Sequence, residues 1–212
     1  MLMLNLYFHR KGLVDFFLDL AGNGNGLAPR SVYENESSSE AFQDKDEAEK
    51  RFDFTDDEFS EFAKKRTIGY IVSSSKLKFY VDPFEDYWNV FAEFKAQNSS
   101  ALCDPLLDAA AVNGVAYGFA CDLDEYHHRN RLYLVRLGGD CEMWIGRSAL
   151  KAIPGLYWKT ILSSNYLKAH EVSREAIDSL SLVDRRRLID KAGNGVDVVT
   201  LFEAFSDWKS HA

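Results

Sequence analysis

The residues best equipped for chemistry lie close together, between positions 122 and 128. Asp122, Asp124, Glu125, His127 and His128 place carboxylates beside imidazoles. Nitrogen and oxygen ligands of this kind can bind a divalent metal, and the same groups can transfer protons. Neighbouring residues on a strand point to opposite faces, however, so both imidazoles would rarely reach one ion. An exposed polar loop between strands and a loop that contacts a partner are the competing interpretations.

The motifs of common catalytic and phosphate-binding sites are absent from the sequence. It has no Gly-x-Ser-x-Gly, no Gly-Lys followed by Ser or Thr, and no His-Glu-x-x-His. The glycines at 22, 24 and 26 follow a predicted helix rather than a strand, which disfavours a phosphate loop. The three arginines at 185–187 are interpreted as a solvated helix face. The sequence therefore favours a binding protein without a cofactor over an enzyme.

The negative charge of the chain is concentrated in one stretch. The net charge is −8, and residues 34–61 alone contain 12 acidic and three basic residues, a net −9. Nucleic acids are disfavoured as partners because they need clustered basic residues, whereas a basic protein surface fits. A solvated acidic helix face is the plainer interpretation of this stretch. The candidate partner-binding residues are Asp53, Asp56, Asp57, Glu58 and Glu61, together with Asp122, Asp124 and Glu125.

Several features predict a cytoplasmic location. Residues 1–8 are apolar, but they lack a preceding basic region and a small-residue cleavage site, so they predict a first strand rather than a signal peptide. Cys103, Cys121 and Cys141 are odd in number and lack metal-site spacing, which indicates buried thiols in a reducing compartment. No apolar run approaches the ~20 residues of a membrane helix.

The elements that must position these residues alternate irregularly between strand and helix. We expect strands at 2–8, 67–73, 77–82, 115–121, 131–137, 142–145 and 196–202, and helices at 11–20, 41–65, 83–94, 104–112, 156–168 and 173–189. This pattern predicts an α+β fold with an antiparallel sheet of about five to seven strands flanked by helices. We expect one domain over 1–212, with a mobile acidic loop and helix insertion at about 31–65 in which Thr55 and Glu58 form a capping box.

A resemblance to a known family appears at residues 153–162, which read Ile-Pro-Gly-Leu-Tyr-Trp-Lys-Thr-Ile-Leu. Pro154 to Trp158, placed at the start of a predicted helix, resembles the signature of the type VI immunity family, small bacterial proteins that neutralise secreted antibacterial toxins. The resemblance extends in outline over residues 65–170, through the Gly118-Phe119 strand, the 126–131 loop and the Trp144-x-Gly146-Arg147 turn. The signature itself is expected to belong to the core, with Leu156, Tyr157 and Trp158 packing on more than one element.

The resemblance implies an immunity protein that occludes the active site of a cognate toxin. Such a protein runs no reaction, and acidic loops that meet a basic toxin groove would accelerate its association. A second hypothesis is a metal-dependent or acid–base enzyme with its site at Asp122, Glu125, His127 and His128. A third is a homo-oligomeric structural protein that associates through exposed aromatic side chains.

Overall fold

The computed structural model describes residues 1–22, 27, 29–35, 38–41, 69–73, 77–84, 87–94, 99–129 and 156–210. These residues contain ten strands, five α-helices and one 3-10 helix. The strands are β1 (Leu2–Phe8), β2 (Pro29–Asn35), β3 (Ser38–Ala41), β4 (Gly69–Ser73), β5 (Lys78–Phe84), β6 (Tyr87–Phe94), β7 (Val115–Asp122), β8 (Lys159–Ser163), β9 (Asp184–Ile189) and β10 (Gly195–Thr200). The α-helices are α1 (Arg10–Gly22), α2 (Ser99–Val112), α3 (Leu123–Arg129), α4 (Ser164–Ala169) and α5 (Arg174–Asp178), and the 3-10 helix is Asp207–Ser210.

The strands of the described residues form one antiparallel sheet with the order β3-β2-β4-β5-β6-β1-β7-β8-β10-β9. Strand β1 lies in the interior of the sheet, where Leu4 pairs with Ala92 of β6 on one side and with Ala120 of β7 on the other. The predicted α+β class, an antiparallel sheet flanked by helices, is confirmed. The sheet has ten strands rather than about five to seven, because several segments predicted as loop or helix are strands.

One face of the sheet packs against α1 and α2, and we call the buried side chains there the first core. Alternate residues of β1, namely Leu2, Leu4, Leu6 and Phe8, belong to this cluster. Helix α1 adds Leu13, Phe16, Phe17 and Leu20, and α2 adds Cys103, Leu106, Leu107 and Ala110. The period of two along the strand and the three-to-four spacing along the helices bring both apolar faces into one interior.

The opposite face packs against α3, α4 and α5, and we call the side chains there the tyrosine core. Its buried members include Met3, Tyr7, Tyr117, Phe119, Tyr157, Tyr166 and Ile177. The rings of Phe119 and Tyr157 stack with centroids 4.1 Å apart, and those of Tyr117 and Tyr166 stack at 5.3 Å. Helices therefore cover both faces of the sheet, which makes the described structure a three-layer arrangement.

The predicted helix at 83–94 is wrong, since these residues form the end of β5 and all of β6. Val90, Ala92 and Phe94 are buried at alternate positions, as a strand requires. Strand β6 pairs with β5 on one side and with β1 on the other. Aromatic residues also pack well on the half-buried surface of a strand. Their three-to-four spacing, which predicted a helix, therefore did not decide the structure here.

The helices predicted at 156–168 and 173–189 are also largely wrong. Residues 159–163 form β8 and 184–189 form β9, which leaves the short helices α4 and α5 between them. The three arginines of β9 alternate between the two faces of the sheet. Arg185 and Arg187 bind Asp197, whereas Arg186 lies 2.9 Å from an oxygen of Asp108 on α2. They are therefore ion-paired sheet residues rather than a solvated helix face.

Other predictions are confirmed or fall outside the described residues. The strands expected at 2–8 and 115–121 and the helix expected at 11–20 are confirmed. The mobile loop expected over 31–40 is replaced by the paired strands β2 and β3. Cys103 and Cys121 are free, buried thiols. Of the acidic helix predicted at 41–65, Ala41 ends β3 instead, and the remainder with its capping box lies outside the described residues. The hairpin predicted at 131–145 and Cys141 also lie outside them, and the single domain stays a prediction.

In the part of the chain that the structure describes, no helix has the length and apolar character required to cross a membrane.

Candidate functional site

The predicted site follows β7 directly and forms the helix α3. The polar loop expected here is a seven-residue helix with Asp124 and Glu125 in its first turn and His127, His128 and Arg129 in its last. Acidic groups near a helix N-terminus and basic groups near its C-terminus complement the helix dipole. The charge order of the segment therefore explains why it is helical, and it separates the acids from the histidines.

Asp122 is buried at the junction of β7 and α3. One carboxylate oxygen accepts a hydrogen bond from the backbone N–H of Asp124 at 3.3 Å, as a capping residue does. The other accepts one from Nε1 of Trp208 at 3.4 Å. Asp122 thus fixes the start of α3 to the 3-10 helix of residues 207–210.

Glu125 belongs to the first turn of α3, and its side chain is completely buried. Its Oε1 accepts a hydrogen bond from Nε of Arg129 at 2.7 Å, and the backbone of Trp158 lies close enough to lower the pKa of the carboxyl group. Its Oε2 has no hydrogen-bond partner among the described residues. Burial raises the pKa of Glu125 above its ordinary value, and this outweighs the opposing effect of the Arg129 guanidinium.

These positions change the interpretation of the three predicted contact acids on this segment. Asp122 and Glu125 were expected to contact a partner, but their side chains are buried and bonded within the chain. Burial excludes them from contact with a partner in this conformation. Asp124 is exposed and stays a candidate contact. Asp53, Asp56, Asp57, Glu58 and Glu61 lie outside the described residues.

His127 and His128 are both exposed, and they make separate contacts. The ring of His128 lies 5.4 Å from that of Trp208, whereas the ring of His127 lies 6.2 Å from that of Tyr126. No group of three or more His, Cys, Asp or Glu side chains within the described ranges could hold a metal ion. The metal-dependent or acid–base alternative near Asp122–His128 stays a prediction.

The segment that resembles a family signature joins both cores of the molecule. Tyr157 is buried in the tyrosine core, and Trp158 is buried in the first core on the other face of the sheet. Nε1 of Trp158 donates a hydrogen bond to the carbonyl oxygen of Phe202 at 3.0 Å. The expected core role of these two residues is confirmed, although they precede a strand and not a helix. Pro154 and Gly155 lie outside the described residues.

Helix α3 and this segment are connected directly. The guanidinium carbon of Arg129 lies 5.7 Å from the ring centre of Tyr157, within cation–π range. Glu125 also connects the two, because it binds Arg129 and lies beside the backbone of Trp158. We call Asp122, Glu125, Arg129, Tyr157 and Trp158 the α3 anchor. The anchor joins a short helix to the buried core and leaves Asp124, His127 and His128 exposed.

No family model, no curated protein and no solved structure matches this chain.

Two parts of this arrangement were missed by sequence reasoning. Trp208 contacts Asp122 across a separation of 86 residues, and no local pattern connects them. Arg185 and Arg187 converge on the buried Asp197 because β9 and β10 pair in that register. The i to i+4 spacing of Glu125 and Arg129 is a signal that could have indicated their ion pair.

Proposed function

We propose that this chain is an immunity protein that binds a cognate secreted antibacterial toxin and occludes its active site. The observation that supports this most is the position of the segment at 156–158. The residues that resemble the family signature form, with Glu125 and Arg129, the anchor of α3. A family of binding proteins with variable partners requires a constant segment of this kind. The segment fixes the fold and holds a surface helix in place for binding.

The proposed contact surface is the outer side of α3. Asp124, His127, His128 and Arg129 are exposed there and offer hydrogen-bonding groups of both charges. The helix is held by a buried carboxylate and by two aromatic residues of the core, so little conformational entropy is lost when a partner binds. The acids Asp53, Asp56, Asp57, Glu58 and Glu61 add the negative potential that attracts a basic toxin surface.

The experiment uses the full chain and the toxin encoded beside its gene. We expect the wild-type chain to bind that toxin and to protect cells that express it in the cytoplasm. Asp124→Lys should weaken the complex, and so should replacement of the five acids at 53–61 by Lys, with a slower association rate and weaker salt dependence. Asp15→Lys is the matched control, because Asp15 is a partly exposed acid on α1, which packs on the face of the sheet opposite to α3.

Two results decide this proposal. If the wild-type chain neither binds nor neutralises the adjacent toxin, the immunity function is wrong. If binding occurs but Asp124→Lys and the five-acid variant bind as tightly as Asp15→Lys, the immunity function stands and the electrostatic contact surface is wrong.

A second candidate function is the metal-dependent or acid–base enzyme, and one observation favours it. Glu125 combines a raised pKa with an oxygen that lacks a hydrogen-bond partner among the described residues, as general acids often do. The test is metal analysis of the purified protein, with His127→Ala as the variant. A stoichiometric divalent ion that is lost in this variant would favour the enzyme over the binding protein.

A further inference from the structure

A cavity of about 370 Å³ opens between α4, α5 and the strands β9 and β10, away from the α3 anchor. Its apolar wall includes Leu167 and Val172, and its polar wall includes Lys168, Arg174 and Arg187. This volume lies in the range of small-molecule pockets, which combine an apolar lining with a few polar groups that orient the ligand.

The end of α4 shapes one side of this cavity. Glu171 has φ of 56°, and its N–H donates to the carbonyl of Lys168 at 3.2 Å. The N–H of Val172 donates to the carbonyl of Leu167 at 3.0 Å. This pair of bonds is a Schellman motif, in which the chain reverses after the helix. The reversal places Lys168 and Val172 in the same wall.

The cations of the cavity differ in how they are compensated. Lys168 and Arg174 are exposed, and no residue of the described ranges forms an ion pair with either of them. The two carboxylates of the lining are Glu171, which is exposed, and Asp197, which is buried and shared by Arg185 and Arg187. The wall therefore has an excess of positive charge.

The guanidinium of Arg187, the third cation of the cavity wall, is held in place by neighbouring residues of β10. Nη1 of Arg187 lies 3.3 Å from Oδ2 of Asp197, which is the residue directly opposite on β10. Its guanidinium crosses Gly195, where a Cβ atom would lie only 2.0 Å from Nη2. One contact with Asp197 uses a single donor of a guanidinium that has five. A fixed guanidinium with further donors is suited to a carboxylate or a phosphate.

We propose that this cavity binds a small organic anion, with its carboxylate or phosphate head on Lys168, Arg174 and Arg187 and its apolar part against Leu167 and Val172. This inference is independent of the proposed toxin binding, because it concerns a different surface and is tested on the isolated chain.

The test is isothermal titration calorimetry of the full chain at fixed ionic strength. Phenyl phosphate and benzoate are the probes for the two head groups, inorganic phosphate lacks the apolar part, and phenol lacks the charge. We expect saturable binding, at one site per chain, of phenyl phosphate, benzoate or both, and the stronger probe identifies the head group. Phenol and inorganic phosphate should bind at least about tenfold more weakly.

Variants locate the site. Lys168→Gln and Arg174→Gln change exposed side chains, so the fold should persist, and each should weaken the stronger probe by about tenfold or more. Lys191→Gln changes an exposed lysine outside the cavity and should leave affinity unchanged. The proposal is overturned if neither organic anion binds, if inorganic phosphate binds as tightly as phenyl phosphate, or if the two cavity variants bind like Lys191→Gln.

Discussion

The substitution Gly195→Ala tests whether the Arg187–Asp197 pair depends on the missing side chain beneath it. An alanine Cβ would lie 2.0 Å from Nη2 and 2.6 Å from Cζ of Arg187. Non-bonded heavy atoms need about 3.5 Å, so the guanidinium must move by about 1.5 Å. We expect that movement to break the 3.3 Å contact between Arg187 and the carboxylate of Asp197.

The expected cost follows from the burial of Asp197. Its side chain is 1% exposed, and it keeps only Arg185 when Arg187 is displaced. A hydrogen bond to a charged group contributes about 1.5–3 kcal/mol, whereas alanine gains about 0.5–1 kcal/mol over glycine inside a strand. We therefore expect Gly195→Ala to lower the free energy of unfolding by about 1–2 kcal/mol. For a chain of this length that is a fall in Tm of about 2–8 °C.

A double-mutant cycle isolates the cause. Urea unfolding would be measured for Gly195→Ala, for Arg187→Ala and for the double variant. In the Arg187→Ala background the clash is absent, so Gly195→Ala should be neutral or stabilising by up to about 1 kcal/mol. An equal loss of stability in both backgrounds, or a gain in the wild-type background, would refute the steric reasoning.

Three further predictions concern single residues. Glu171→Gly should raise the free energy of unfolding by about 1 kcal/mol in urea denaturation, since a side chain in the left-handed region is strained. Burial raises the pKa of Glu125 in the folded chain above 4.5, so its favourable contribution to stability is complete below that pH and is lost as pH rises through the folded pKa. Glu125→Gln should therefore remove this decline from a series of urea denaturations between pH 4.5 and neutrality. Tyr157→Ala should cost about 3–5 kcal/mol in the same assay, because it empties a buried ring position stacked on Phe119.

Each of these predictions has a matched control. Gly193 has φ of 85° with no atom near its Cβ position, so Gly193→Ala should lose about 1 kcal/mol through backbone strain alone. If Glu171→Gly gains nothing while Gly193→Ala loses stability, the strain at Glu171 has been overestimated. An unchanged pH profile in Glu125→Gln would assign the decline to other groups. Tyr157→Phe keeps the ring and should lose far less than Tyr157→Ala.

The sequence was most informative where local pattern and final environment agree. Residues 2–8 are apolar except for Asn5, and they form a strand buried on both faces. The helix at 11–20 could be predicted from the spacing of Leu13, Phe16, Phe17 and Leu20, all of which are buried in the first core. Residues 115–121 followed a clear Asn-Gly turn signal and became β7.

The sequence was misleading where one spacing fits two structures. Phe84, Tyr87, Trp88, Phe91 and Phe94 recur at three or four residues, which is typical of a helix, yet they lie in β5 and β6. The deciding factor is the pairing of β6 with β1, whose residues lie at least 80 positions away from their partners. Long-range pairing of this kind overrides local propensity, and a single sequence does not display it.

For the candidate site, the sequence identified the segment but not the roles of its residues. Charge alone suggested that Asp122, Asp124 and Glu125 were equivalent surface acids. The structure separates them, since Asp122 caps a helix, Glu125 is buried against Arg129, and Asp124 alone is exposed. Burial depends on what covers a side chain, and for Asp122 the cover includes Trp208, which is remote in sequence.

The interior position of β1 has a consequence for how the chain reaches its fold. Leu2 pairs with Phe94 on one side and with Asp122 on the other, so β1 gains its first neighbour only after 94 residues have been synthesised and its second only after 122. Until both neighbours are present, a seven-residue segment that is apolar except for Asn5 has at least one open edge available for wrong pairings. Closing loops of this size is slow, and we expect refolding to take milliseconds to seconds and to compete with aggregation at high protein concentration.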